Sequence, residues 1–473
     1  MKKNVFLVLF AGLLSVTALA GEFHIAKTGW DDGSGTRTAR VAQSGQRPTI
    51  VLFISDDHGY ADSGAYGDEV VKTPHLDRLA QEGMKFINAF AASPLCSPSR
   101  CVIETGLMPF RNGAHKFGTP IRSDIKTMPE YFRELGYFTA EIGKFHHAPR
   151  SRFPYDLIDP DENKAAAFIR AYKGDKPLFL VVCTHPPHTP WVENEIYDPN
   201  EITLPPTFVD TPQTRADRAK YYSDVTLMDS ILGKVANALE DRNQMETTLF
   251  VYTSDQGANW PFGKWNVYDA GLRVPFIVRW PGVVEPGSVT EALVSLADLL
   301  PTCMEAAGGK PDPNIDGKSF LDVIKGTTDR HREVVYGAHT GNDNGGANAA
   351  NHSPARMIRT RRFQYILNLE PDTVFKTHIT GSPRESVHYL PFWKTWETAA
   401  RTDEHAKRIV YNYRHRPLEE LYDLDQDPHE TNNLINNPEY KDVLRSLKKQ
   451  LAQWRESQGD TIPINANYAY QVD

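Results

Sequence analysis

Cysteine is scarce in this chain of 473 residues, which has four, at positions 96, 101, 183 and 303. With no CxxC pair and no Cys/His spacing suited to zinc, that excludes a small disulfide-framed domain and a zinc-finger type of fold. Positive charge is not in excess either. Lys and Arg number 52 against 60 Asp and Glu, a formal net charge of -8. The chain therefore has no broad basic field, which excludes nucleic acid or an acidic membrane surface as its main partner. An anionic substrate would need a local cationic pocket. No segment repeats. The N-terminal apolar run, Val5 to Leu14, is too short to span a bilayer, so no stable membrane association is expected.

What the chain does have begins with ordinary globular composition, 40% hydrophobic and 24% charged, at a length that supports a large core. Lys2, Lys3, the apolar run and Ala18-Leu19-Ala20 before Gly21 read together as a cleaved secretory signal over residues 1–20. The expected location is therefore the periplasm or the medium beyond it. No cysteine follows the cut, so nothing supports lipid attachment there. Residues 21–47 are rich in Gly, Ser, Thr and Arg and read as an N-terminal extension.

From residue 48 apolar runs alternate with amphipathic stretches. Strands are expected at 49–55, 137–142, 178–183, 248–253 and 275–278, and helices at 75–82, 127–135 and 221–240. Strands apolar on both faces and separated by helices predict an α/β fold with a large, mostly parallel sheet covered on both sides. A composition shift near 327–332 and a Gly/Asn/Ala-rich loop at 341–351 divide a main domain, 48–330, from a C-terminal subdomain, 331–473. In the latter, MIRTRRFQYILNL, LEELYDL and a helix at 439–458 predict a short antiparallel sheet with one packing helix.

Ligands of such sheets sit beyond the carboxyl ends of the strands, and the polar clusters fall there. Asp56-Asp57-His58-Gly59 follows the first strand, Lys144 and His146 the second, His185 and His188 the third, and Asp255-Gln256-Gly257 the fourth. Asp56, Asp57 and Asp255 are oxygen ligands suited to a hard cation such as Ca2+ or Mg2+, with Gln256 able to add a carbonyl oxygen. Helix capping or loop solvation is the competing reading of any one such acid pair.

The segment Cys96-Ser97-Pro98-Ser99-Arg100, followed by Cys101-Val102-Ile103-Glu104-Thr105-Gly106, matches C-x-P-x-R followed by x4-T-G. Here the chain resembles the type I, formylglycine-dependent sulfatases. The resemblance implies an alkaline-phosphatase-like sandwich, one Ca2+, and oxidation of Cys96 to formylglycine by a formylglycine-generating maturation enzyme. A hydrated aldehyde gives one hydroxyl to attack sulfur and a second whose deprotonation releases sulfate, which a serine ester cannot do easily. In the family's pattern Cys96 joins Asp56, Asp57, Asp255 and Gln256 at the metal. Arg100 holds the diol, Lys144 of G-K-x-H binds a sulfate oxygen, and His146 is the base. His188 of the H-x-P-H segment and Lys264 face the leaving-group oxygen.

The similarity covers nearly the whole chain from Asp56 onward. SGAY at Ser63–Tyr66, TPHLDRLA at Thr73–Ala80 and the closing DPHETNNL look most like the N-sulfoglucosamine sulfohydrolase branch. That implies a sulfated carbohydrate substrate bearing an O-sulfate or an N-sulfate. Gln256 and Lys264 depart from that branch, which has Asn and Arg there. His185, and Trp260 with Trp191 and Trp265, are candidates to line the sugar site, the rings by stacking. Two competing functions are a phosphomonoester or phosphonate hydrolase on the same sheet and a non-catalytic binder of sulfated glycans.

Overall fold

A computed structural model describes residues 47–147, 149–194, 196–341, 353–380 and 390–466. The expected signal, residues 21–46 of the extension and positions 342–351 of the Gly/Asn/Ala-rich loop lie outside the described residues. In chain order the strands are β1 (Thr49–Ser55), β2 (Met84–Phe86), β3 (Ala89–Phe90), β4 (Phe138–Gly143), β5 (Leu157–Asp159), β6 (Leu178–Cys183) and β7 (Thr248–Ser254). There follow β8 (Phe276–Arg279), β9 (Ser288–Thr290), β10 (Val294–Ser295), β11 (Val335–His339), β12 (Ala355–Arg359), β13 (Phe363–Asn368) and β14 (Glu419–Asp423).

Eight strands form the main sheet in the order β5-β4-β6-β1-β7-β8-β2-β9. β1 lies at its centre, parallel to β6 with Ile50 opposite Phe179, and parallel to β7 with Ile50 opposite Leu249. Both pairings of β8, to β7 and to β2, are antiparallel. Alternate residues of each central strand enter different cores, as the period of two requires. Ile50, Leu52, Phe179, Val181, Leu249 and Val251 pack on one side with the helices Met128–Glu134 and Leu299–Ala306. Val51, Phe53, Leu180, Val182, Phe250 and Tyr252 pack on the other with the helices Pro74–Glu82, Ala165–Ala171 and Pro212–Asp241. Burying each large apolar side chain stabilises the fold by roughly 1.5–3 kcal/mol relative to exposure, so register is strongly fixed.

The second sheet, β11-β12-β13-β14, is antiparallel throughout. Leu447, Leu451 and Trp454 of the helix Lys441–Ser457 pack on its Ile358, Tyr365 and Leu367. The expected single strand-like stretch at 357–369 is two strands, because Thr360 to Arg362 make the turn between them. The helix expected at 221–240 begins earlier, at Pro212, where the Thr211 side chain accepts from Thr214 N at the cap. Its first turns are polar, so apolar periodicity did not reveal them.

Candidate active site

Four strand ends converge at one edge of the main sheet. β1 delivers Asp56 and Asp57, and Asp57 has φ of 65°, a left-handed conformation uncommon outside glycine. Asp57 N donates to Asp255 Oδ1 at 3.2 Å, tying the end of β1 to that of β7. β4 ends at Gly143, with φ of 107°. A Cβ there would stand 1.8 Å from the Cys183 carbonyl oxygen, so glycine alone lets Lys144 N donate to that carbonyl, at 2.8 Å.

Cys96 is the first residue of the ten-residue helix Cys96–Thr105, which is buried along its whole length. Pro98 sits in the first turn, where a missing N–H costs nothing. The closing Thr-Gly has a capping task. Thr105 Oγ1 donates to the Cys101 carbonyl at 2.6 Å, and Gly106, with φ of 64°, ends the helix by donating to Val102 O at 2.8 Å. The spacing of the motif is thus the length of the helix that holds Cys96 over the sheet edge.

Around Cys96 charges of both signs interlock. Its Sγ lies 3.9 Å from Asp57 Oδ1 and accepts from Gln256 Nε2 at 3.3 Å. Gln256 Nε2 also donates to Asp57 Oδ1. Lys264 Nζ donates to Asp57 at 2.7 Å, Lys144 Nζ bonds Asp56, and Arg100 Nε donates to Asp255 Oδ2 at 2.9 Å. His188 Nε2 is 3.7 Å from Asp57 Oδ2. Asp56, Asp57, Cys96 and His188 each offer a ligand atom within 4.8 Å of all the others. Asp255 stands one step outward, with its carboxylate shared between Arg100 and the backbone amides of Asp57 and Gln256.

Burial alone would push Asp56 upward, but Lys144, His188, Arg100 and Lys264 outweigh it and hold this carboxyl well below its usual range. Asp57 and Asp255 go up, burial being the larger influence on each. Lys264 is raised, since attraction to Asp57 overcomes its burial. Burial and then Lys144 lower His146 to about 3, and burial and then Lys264 lower His188 to about 4. Both imidazoles are therefore neutral at pH 7.

Those donors suit one hard cation. Asp56 Oδ1 and Gln256 Oε1 are buried oxygens with no hydrogen-bond partner, in a set otherwise supplied with carboxylates. With Arg100, Lys144 and Lys264 against Asp56, Asp57 and Asp255, the formal charges cancel, so a bound divalent ion would leave the edge net positive and attractive to an anion.

Two candidates sit differently from the core of the site. His185 is at the rim, its side chain 55% exposed and its Nδ1 2.8 Å from Glu162 Oε2. Glu162 lies in a short turn after β5 and carried no motif signal. Trp260 is a correction: at 3% exposure, its ring packs against Trp191 at 4.9 Å and Phe392 at 4.8 Å, so it is core and presents no face to a sugar. Trp191 keeps part of its ring exposed. Sequence reasoning also missed the task of Ser99, whose Oγ donates to Asp255 O at 2.5 Å. Its place inside the motif was the only signal.

Comparison with known proteins follows the same lines. Residues 48–157 and 161–309 match the family described as Sulfatase, and residues 257–378 and 388–457 match N-sulphoglucosamine sulphohydrolase, C-terminal. An ulvan-active sulfatase of Formosa agariphila is 34% identical over 93% of this chain and 88% of its own. The human N-sulphoglucosamine sulphohydrolase is 29% identical over 86% of this chain and 90% of its own. A solved structure of a protein with its substrate D-glucosamine-2-N,6-O-disulfate superposes with a TM-score of 0.67 at 21% identity, covering 89% of this chain and all of that one. The sandwich is accordingly alkaline-phosphatase-like. A cysteine-headed helix set over paired aspartates at the carboxyl edge of that sheet agrees with these matches, and the chain belongs to the sulfatase family, whose members are sulfuric ester hydrolases.

Proposed function

We propose that this chain removes sulfate from a sulfated oligosaccharide or polysaccharide, using a formylglycine made from Cys96 and one Ca2+. The observation that carries the reading is the position of the Cys96 side chain, in contact with Asp57 and Gln256 and within electrostatic reach of Lys144 and Lys264. A maturation enzyme of the host supplies the oxidation during export to the periplasm or beyond, for which Lys2, Lys3 and the apolar run support the address.

Formylglycine, as its hydrate, supplies one hydroxyl to attack sulfur and a second whose deprotonation expels sulfate. Asp56, Asp57, Asp255 and Gln256 would hold Ca2+, which would orient the hydrate and offset charge on the sulfuryl oxygens. Everything else falls to the side chains. Arg100 directs charged hydrogen bonds toward the side chain of residue 96, anchored in turn by Asp255. Lys144 binds a sulfate oxygen. Lys264, the group that keeps its proton, delivers it to the sugar oxygen as the S–O bond breaks, and neutral His188 holds that oxygen by a hydrogen bond. Neutral His146 takes the proton of the second hydroxyl.

Saccharide substrates are supported by the relatives that act on ulvan and on N-sulphoglucosamine. The match of residues 257–378 and 388–457 to the C-terminal region of the latter favours a second reading, cleavage of a sulfamate, in which Lys264 would protonate nitrogen. A panel of N-sulfated glucosamine, sulfated galactose and sulfated rhamnose oligosaccharides, scored by free sulfate, separates the two. Aryl sulfate should be turned over faster than aryl phosphate by orders of magnitude, and Cys96→Ala should abolish turnover while sugar binding survives. Peptide mass analysis of active exported protein showing only an intact thiol at position 96 would end this mechanism.

A further inference from the structure

Beneath the site, on the side of β4 away from Ala140 and Ile142, lies a second group of ligating side chains. Glu104 comes from the last turn of the Cys96–Thr105 helix, Glu141 from the middle of β4, and His147 from the segment that follows Lys144 and His146. All three are buried, at 3%, 1% and 5% exposure, and each offers an atom within 4.8 Å of the other two.

Their hydrogen bonding is incomplete. Tyr155 donates to Glu104 Oε1 at 2.7 Å, but Glu104 Oε2, Glu141 Oε2 and both ring nitrogens of His147 have no hydrogen-bond partner. Buried polar groups are rarely left so, because each costs about 1–3 kcal/mol. His147 Nε2 stands 3.5 Å from Glu141 Oε2, too long for a good hydrogen bond. It is close to the edge of a coordination tetrahedron, roughly 3.3 Å when N and O ligands each lie about 2.0–2.1 Å from a zinc ion. The imidazole is also held in place, its ring 4.0 Å from that of Phe145 and 3.9 Å from that of Phe153.

We propose that Glu104, Glu141 and His147 bind a second divalent cation of the transition series, Zn2+ in type, separate from the calcium set. Two carboxylates and an imidazole are a borderline N/O set that suits zinc rather than calcium. Arg100 and Arg150 attract these carboxylates only from a distance, neither being hydrogen-bonded to them, and Arg100 is ion-paired with Asp255. Without a metal, burial raises Glu104 to about 8 and holds Glu141 above its usual range. Metal binding would release those protons. The ion would tie the helix that carries Cys96 to the strand that delivers Lys144 and His146, which makes Glu104, Glu141 and His147 positioning residues.

The test uses the full chain, stripped with chelator, returned to excess Ca2+, titrated with Zn2+ alone and desalted before metal analysis. Wild type and Asp56→Asn should each retain about one Zn2+ per chain with a raised thermal midpoint, whereas His147→Ala and Glu104→Gln should retain less than about a tenth of that. Glu104→Gln preserves size and the acceptor for Tyr155, so it serves if the histidine variant does not fold. Wild type that holds no zinc, zinc retained equally by both variants, or zinc lost in Asp56→Asn would each overturn the proposal.

Discussion

Replacing His146 separates the two halves of the proposed reaction. The imidazole is buried beside Lys144, Nδ1 has no hydrogen-bond partner, and the edge of the ring meets Phe117 at 5.3 Å. Its pKa is lowered to about 3, so protonation occurs only as pH falls through that value, and in the free protein nearly every molecule carries the base form from pH 5 to 7. Removing a positioned base typically costs about 10²–10⁴-fold in rate, or roughly 3–5 kcal/mol of barrier. The loss should fall on the second half alone, since the proposed mechanism draws the proton for the departing sugar oxygen from Lys264, which is bonded to Asp57. His146→Ala should then release one equivalent of phenol from an aryl sulfate in a rapid burst and afterwards turn over about 10²–10⁴ times more slowly than wild type. The peptide containing residue 96 should meanwhile carry the mass of an added sulfuryl group. Stopped-flow absorbance with mass analysis of quenched protein reads both. A variant without a burst, or one whose steady rate falls less than about tenfold, refutes this assignment of the base.

Other tests address neighbouring parts of the chain. Lys264→Ala should slow substrates with poor leaving groups far more than activated aryl sulfates, a steeper dependence on leaving-group pKa that rate comparisons across a substituted series would show. Chelation of Ca2+ should abolish turnover and lower the thermal midpoint, with both restored by Ca2+, because three buried aspartates would again lack their cation. Gly143→Ala should be poorly folded or inactive by circular dichroism and assay, as its Cβ would overlap the Cys183 carbonyl. Burial alone would raise Asp298, but Arg332 and His331 hold its carboxyl at about 2, stabilising the fold by roughly 2 kcal/mol well above pH 4 and about half of that at pH 3. In urea titrations the gap between wild type and Asp298→Asn should accordingly be widest near neutrality and narrow as pH falls from 4 toward 2. A gap that stayed constant with pH would contradict the ion-pair account.

The parts of the site that were legible from local chemistry, Asp56, Asp57, Lys144, Asp255 and Gln256, sit just after strands, where residue type is constrained, whereas Arg100 and Lys264 were reached only through the family's pattern. TIVLFIS, FTAEIG, LFLVVC and LFVYTS are buried on both faces, so their apolar runs mark the sheet and their last residues mark its ligand-binding edge. The helix at 96–105 was not among those expected, and the Thr105-Gly106 that ends it was read only as part of the motif. What was not legible depends on faces rather than ends. Trp260 reads as a loop aromatic near the site, yet it is surrounded by Trp191, Phe208 and Phe392, the last from a helix more than a hundred residues away in the chain.

The same distinction accounts for Glu104, Glu141 and His147. In sequence, Glu104 is one polar residue in a buried helix, Glu141 interrupts an apolar strand, and His147 trails Lys144 and His146. Each alone fits a solvated or incidental position. Only when the helix lies across β4 do they meet, and then burial removes the solvation that made each one unexceptional. Two carboxyls and an imidazole in that setting need protons, hydrogen bonds or an ion, and the hydrogen bonds are mostly missing. The choice between protons and an ion decides whether the helix headed by Cys96 is held to β4 by packing alone or by coordinate bonds.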